Sequence, residues 1–176
     1  MIVQEESPRT AHQEWLARLR EETEQRHGKS TAELWEERER RIADAVALRE
    51  PDRTPVVFAM GNFPARYMGV PLATAYYDAP AFRRANMQTI VDLEPDGYRQ
   101  TAGGNAGDAL SALDAKQFRW PGGNLPPDVA YQFVESEPMK EDEYDLFVSD
   151  PTDFILRYYL PRVFGALQPL AQLPPL

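Results

Sequence analysis

The run PVVFAM, Pro55 to Met60, constrains this chain more than any other segment, because six apolar residues are closed off by Pro51-Asp52 upstream and by Gly61-Asn62-Phe63-Pro64 downstream. A short, β-branched run bounded by turn formers reads as a strand buried on both faces, as parallel strands are. Such a strand needs neighbours, and the residues after it offer them in alternation. Asp78 as an N-cap and Pro80 in the first turn open a helix to about Leu93, with Phe82, Ile90 and Leu93 facing inward. The turn EPDG then leads to a second strand, YRQTA. A glycine-rich loop, GGNAG, and a short helix, DALSALD, precede a third strand, KQFRW, that stops at Pro121-Gly122. Strand and helix in alternation predict right-handed βαβ units on a parallel sheet, an α/β fold.

Residues 1–50 read as a charged helical extension in front of a body formed by 51–176. Thr10 with Gln13 has the capping-box pattern, Trp15, Leu16 and Leu19 supply an apolar side, and His27-Gly28 is a stop. Ser30 with Glu33 repeats the device and opens a second helix to about Arg49, with Trp35, Ile42, Ala45 and Val46 on one side. Glu14 with Arg18, Glu22 with Arg26, Glu36 with Arg40 and Glu37 with Arg41 stand one helical turn apart. Beyond the third strand, PGGNLPPDVA is a loop, and YQFVE is either a fourth short strand or an extended segment. KEDEYD reads as the first turns of a helix. Asp150-Pro151 with Asp153 opens a longer one carrying Phe154, Leu156, Tyr158 and Leu160, which Pro161 kinks or ends.

Composition excludes several kinds of chemistry. The chain has no cysteine, which removes disulfides, thiolate nucleophiles and cysteine-bearing metal sites, and its two histidines, His12 and His27, sit among charges as surface residues do. No metal site is expected. A net charge of −9 with arginines interleaved among glutamates opposes nucleic-acid binding. No window approaches a membrane span and the N-terminus does not read as a secretory leader, so a cytoplasmic protein is expected.

Four groupings invite a functional reading. AGGNAG, 102–107, follows a strand and opens a helix like a degraded dinucleotide fingerprint, but it lacks the first glycine and the later acidic residue, so a plain turn is favoured. Glu135 and Glu137 would share one face of an extended segment, where solvation is the commoner fate of such a pair. Trp120 ends the third strand, either facing a ligand or packing in the core. The turn after PVVFAM delivers Asn62, Arg66 and Tyr67 to the carboxyl end of the first strand, where one arginine would clamp a carboxylate. Tyr98 and Gln100 from the second strand, with Trp120 from the third, complete the expected ligand-binding set.

The segments RRIADAVALREPDRTPVVF, YMGV, LEPDGY, WPGGNLPPD, YQFVESEPMKEDEYD and DPTDFILRYYLPRVFGAL, in that order, resemble the uroporphyrinogen decarboxylase-like superfamily over roughly 40–176. The resemblance implies the amino-terminal part of a (β/α)8 TIM barrel preceded by two helices, with ligand at the carboxyl ends of the strands. It implies decarboxylation or methyl transfer on a tetrapyrrole or a small methylated compound, with a homodimer or a corrinoid protein as partner. In the decarboxylase branch the loop after the first strand is arginine-rich, whereas here Arg66 stands alone. That branch also has an aspartate seven positions after the one that begins the second strand, and seven from Asp96 is Gly103. The methyltransferase branch binds zinc through later histidines and cysteines, so corrinoid or zinc belongs only to a complete barrel of that type. A barrel of this kind takes about 250 residues, against 176 here. The chain alone is therefore expected to be inactive, and a truncated, non-catalytic relative acting as a binding or interaction remnant is the alternative.

Overall fold

The computed structural model describes residues 8–99 and 106–174, and the side chains within that range from residue 10. The class is mixed and mainly helical, with short strands. The helices are α1 (Pro8–His27), α2 (Thr31–Val46), α3 (Phe63–Tyr67), α4 (Thr74–Tyr77), α5 (Ala79–Leu93), α6 (Gly107–Ala112), α7 (Tyr144–Ser149), α8 (Pro151–Phe154) and α9 (Leu160–Val163). The strands are β1 (Val57–Ala59), β2 (Gly97–Arg99), β3 (Phe118–Arg119) and β4 (Gln132–Phe133). Two compact units divide the chain, one formed by Met1–Gly61 with Met87–Thr101 and the other by Asn62–Asn86 with Ala102–Leu176.

In the first unit, α1 ends where Gly28 adopts φ +62°, a conformation that suits glycine. The expected Thr10–Gln13 box is not the start of this helix, because α1 already begins at Pro8. Ser30 does form its box with Glu33 at the head of α2. That helix ends at Val46, three residues before the expected Arg49, with Leu48 following at φ +56°. Its inward line runs through Leu34 and Arg41, while Trp35 and Val46 are 63% and 79% exposed. The apolar stripe expected through Trp35 and Val46 is thus corrected. A buried cation takes the inner position because its carboxylate partners lie on that side.

β1 and β2 pair in parallel, with Phe58 opposite Tyr98, and α5 lies between them in sequence. Asp78 caps α5 by accepting the Ala81 N–H at 2.9 Å, as expected. The expectation that PVVFAM is buried on both faces does not hold, since Val56 and Val57 are 42% and 58% exposed. The reason is the lack of cover: β1 has one neighbour strand among the described residues. Leu93, expected inside, is exposed, and Thr89 is fully buried on the same helix.

The second unit has a core of Ala65, Leu72, Ala75, Tyr76, Phe82, Ala115 and Trp120. β3 does not join a parallel sheet as expected, but pairs antiparallel with β4, Phe118 opposite Phe133. Its following residues, PGGNLPP, reverse the chain, with Gly122 at φ +79°, and a reversing loop returns an antiparallel partner. YQFVE does contain a strand. The described residues therefore form two small sheets, which do not amount to a (β/α)8 barrel.

Asp150 caps α8 through the Asp153 N–H at 3.0 Å, as expected. The helix then widens to a π-helical stretch, Ile155–Tyr159, before α9. Pro161, expected to kink or end the helix, does not end it but lies in the first turn of α9, and having no N–H to give the turn before it, it follows directly on the widened stretch. Phe154, 2% exposed, anchors the segment, with the Phe147 ring edge-on at 5.5 Å and the Tyr158 ring stacked at 5.7 Å. Among the described residues no helix is long and apolar enough to cross a membrane.

Candidate functional site

The residues after β1 are arranged by backbone chemistry first. Gly61 turns the chain at φ +50°, and Pro64 sits in the first turn of α3, where a missing N–H costs nothing. Asn62 precedes the helix and is half-buried; its carbonyl accepts the Ala65 N–H at 3.2 Å, and its side chain makes no cap. α3 buries Pro64 and Ala65 and leaves Arg66 and Tyr67 exposed. The Tyr67 ring rests against Phe63, centroids 5.8 Å apart.

Arg66 Nη2 donates to the Asp128 carbonyl at 3.2 Å. Among the described residues the guanidinium has no carboxylate partner, so most of its five N–H groups remain available. Beside it, Gly69, Val70, Pro71, Leu72 and Asp128 complete a cavity of about 240 Å³. Here is a fixed cation at the rim of a recess, suited to hold one carboxylate in bidentate fashion.

Trp120 lies outside this recess. It is 3% exposed, its indole N–H donates to the Tyr77 hydroxyl at 3.0 Å, and its backbone N–H donates to Asn124 Oδ1 at 2.9 Å. Core packing is therefore its role. The glycines around it serve the same packing: a Cβ on Gly107 would fall 2.5 Å from the Tyr77 ring, and one on Gly123 would fall 2.4 Å from the Trp120 indole nitrogen. That accounts for the one glycine of AGGNAG that is described. Gln100 and residues 101–105, Gly103 included, lie outside the described residues. Tyr98 belongs to the first unit, where it is 43% exposed on β2. Glu135 and Glu137 are both exposed.

Among the described residues, the most heavily bonded polar cluster is one that sequence reasoning missed. Asp96, its side chain fully buried, accepts from Arg41 Nη1, from both Nη atoms of Arg53 at 2.7 Å, and from the Val56 N–H at 2.8 Å. Arg41 also forms a bidentate pair with Asp52, at 2.7 and 2.6 Å. Burial pushes the Asp96 carboxyl up, but the Val56 N–H and the two guanidinium groups outweigh it and hold the pKa below the ordinary value. The Arg41 fork holds Asp52 down at about 2. A signal for this cluster was present: the triplet Glu-Pro-Asp occurs at 50–52, four residues before β1, and again at 94–96, immediately before β2. The cluster ties the amino ends of β1 and β2 together.

Neither histidine stands in a ligand cluster. His12 stacks on Trp15 at 5.6 Å, His27 Nε2 is 2.9 Å from Glu94 Oε1, and among the described residues no three histidine or carboxylate groups converge as a metal site would need. Comparison of the chain with known protein families, curated proteins and solved structures finds no match.

Proposed function

We propose that this chain is the amino-terminal, ligand-binding portion of a (β/α)8 protein of the uroporphyrinogen decarboxylase-like superfamily, acting in decarboxylation or methyl transfer on a tetrapyrrole or a small methylated compound. The observation that carries the reading is the parallel pair β1–β2, joined through α5, preceded by two helices, and followed at the end of β1 by Gly61 and the exposed Arg66. A strand, a turn and a cation in that order is how a barrel of this kind presents its first ligand contact. Arg66 would hold a substrate carboxylate and orient it, while acid-base groups would come from elsewhere in a complete barrel.

Zinc does not fit the residues present. The chain has no cysteine, and its two histidines, both on α1, are engaged by Trp15 and Glu94. The exposed Val56, Val57 and Tyr98 favour a second reading, in which the chain binds ligand without turning it over, because an uncovered parallel pair is an unfinished scaffold.

The test is a titration of the purified protein with uroporphyrin, followed by the porphyrin's absorbance, wild type against Arg66→Ala. A loss of roughly 1.5–3 kcal/mol with an unchanged circular dichroism spectrum is expected, the range of one charge-assisted hydrogen bond. Equal affinity in the two proteins would remove Arg66 from the site. Turnover by the wild type would separate the first reading from the second.

A further inference from the structure

We propose that the second unit carries another anion site, a cavity of about 430 Å³ walled by Lys116, Arg157, Tyr158, Arg162 and Gln168, which takes the carboxylate or phosphate group of a small organic molecule. It shares no lining residue with the Arg66 recess. Most of its wall comes from the segment PTDFILRYYLPRV, whose π-helical stretch carries Arg157 and Tyr158 and is followed by Pro161 and Arg162, while Lys116 and Gln168 join from other segments. π-helical turns are rare and recur at functional sites.

Both arginines are held in place before any ligand arrives. Arg157 forms a bidentate pair with Asp153, 2.5 Å on each arm, and Arg162 forms one with Glu143 at 2.6 and 2.5 Å. Their guanidinium carbons lie 5.3 and 5.8 Å from the centroid of the Tyr158 ring, which fixes them further. Arg157 Nη1 also donates to the Leu173 carbonyl at 3.4 Å and Arg162 Nη1 to the Pro138 carbonyl at 2.8 Å, and of its five N–H groups each guanidinium still retains donors. Preorganised donors lose little freedom on binding, which is what makes such a wall useful to an anion.

Lys116 supplies a third cation. Its backbone N–H is bonded to the Val163 carbonyl at 3.0 Å, so the residue is fixed beside α9, yet among the described residues its ammonium has no acceptor. The two arginines are matched by Asp153 and Glu143, and Asp142, Asp150 and Asp114 also stand near this wall, so its hold on an anion rests on directed N–H donors and the Lys116 ammonium and not on a net positive charge. The volume lies within the range of small-molecule sites, roughly 300–1,000 Å³.

The experiment titrates the purified, isotope-labelled protein with citrate and, separately, with inorganic phosphate, reading backbone amide shifts. Saturable shifts at Leu113–Lys116 and Gly165–Ala171 are expected. Lys116→Gln, whose circular dichroism should match wild type because the side chain is exposed, should weaken binding about tenfold, the effect of one lost charge-assisted hydrogen bond. Citrate saturating below phosphate would identify a carboxylate site, and the reverse a phosphate site. No saturable shift with either anion, shifts confined to Gly69–Leu72, or equal affinity in a folded Lys116→Gln would each overturn the proposal. Should that variant not fold, the location of the wild-type shifts decides.

Discussion

Replacing Asp96 by asparagine isolates the energetic worth of the lock at the amino ends of β1 and β2. Asp96 Oδ1 accepts from Arg41 and Arg53, and Oδ2 accepts from Arg53 and the Val56 N–H. Asparagine keeps one oxygen and presents an amide to the other two donors, so two of the four bonds are lost. At the lower end of the range for bonds involving a charged group, about 1.5 kcal/mol each, the loss is about 3 kcal/mol. Two features soften it. Arg53 is half-exposed and regains water, and Arg41, though 8% exposed, keeps its bidentate bond to Asp52 and is not orphaned. The expected destabilisation is therefore about 2–3 kcal/mol, below the ~3–5 kcal/mol of a fully broken buried pair. It would still be a large share of a typical stability of 5–15 kcal/mol. Urea unfolding followed by far-ultraviolet circular dichroism measures it, with an unchanged denaturant slope as the control. A loss below about 1 kcal/mol would refute the claim that this cluster holds the strand pair.

Acid should unfold the protein in a defined window. Asp96 is held below its ordinary value, and Asp52 and Glu143 are held at about 2, the latter chiefly by Arg162 and then by the Lys140 N–H. For carboxylates of depressed pKa the stabilisation is complete above the unfolded value of about 4 and disappears as pH falls towards 2. Folded signal should persist at pH 5 and collapse between about pH 4 and 2, and a transition centred above pH 5 would assign acid sensitivity to other groups. Gly122→Ala would place a methyl 2.8 Å from the Ala73 Cβ and 2.9 Å from the Tyr77 ring at φ +79°, whereas Gly69→Ala, at φ +66°, meets nothing within 4 Å. Both should lose ~1 kcal/mol to backbone strain, and Gly122→Ala a further ~1–3 kcal/mol to crowding. Equal melting curves for the two variants would show that the loop yields around Tyr77.

What was legible in the sequence was local. Ser30 with Glu33, Gly28 after His27, Asp78 before Ala79 and Asp150 with Asp153 all behave as expected, because a cap is decided by residues within one turn of it. What failed depended on distant partners. Glu37 and Arg41 stand at helical spacing, yet Glu37 turns to Lys29 at 2.5 Å and Arg41 to two aspartates from other segments. The same holds for burial: the composition of PVVFAM describes what the strand would prefer to pack against, and only its neighbours decide whether it does. KQFRW looked like one more parallel strand for the same reason, since direction is set by the return of the chain and not by the strand's own residues. At the candidate site the turn and the exposure of Arg66 were readable, but the burial of Trp120 was not, because it depends on Tyr77, 43 residues away.

The contacts of Asp96 also set an order of events during synthesis. Its bonds to Val56 and Arg41 span 40 and 55 residues, while the Arg41–Asp52 pair spans 11. At roughly 5–20 residues per second, Asp96 leaves the ribosome about 2–8 s after Val56. During that interval α2 and Asp52 are already in hand while the valines of β1 have no strand beside them, and a trigger for mispairing between nascent chains exists until the second Glu-Pro-Asp triplet emerges.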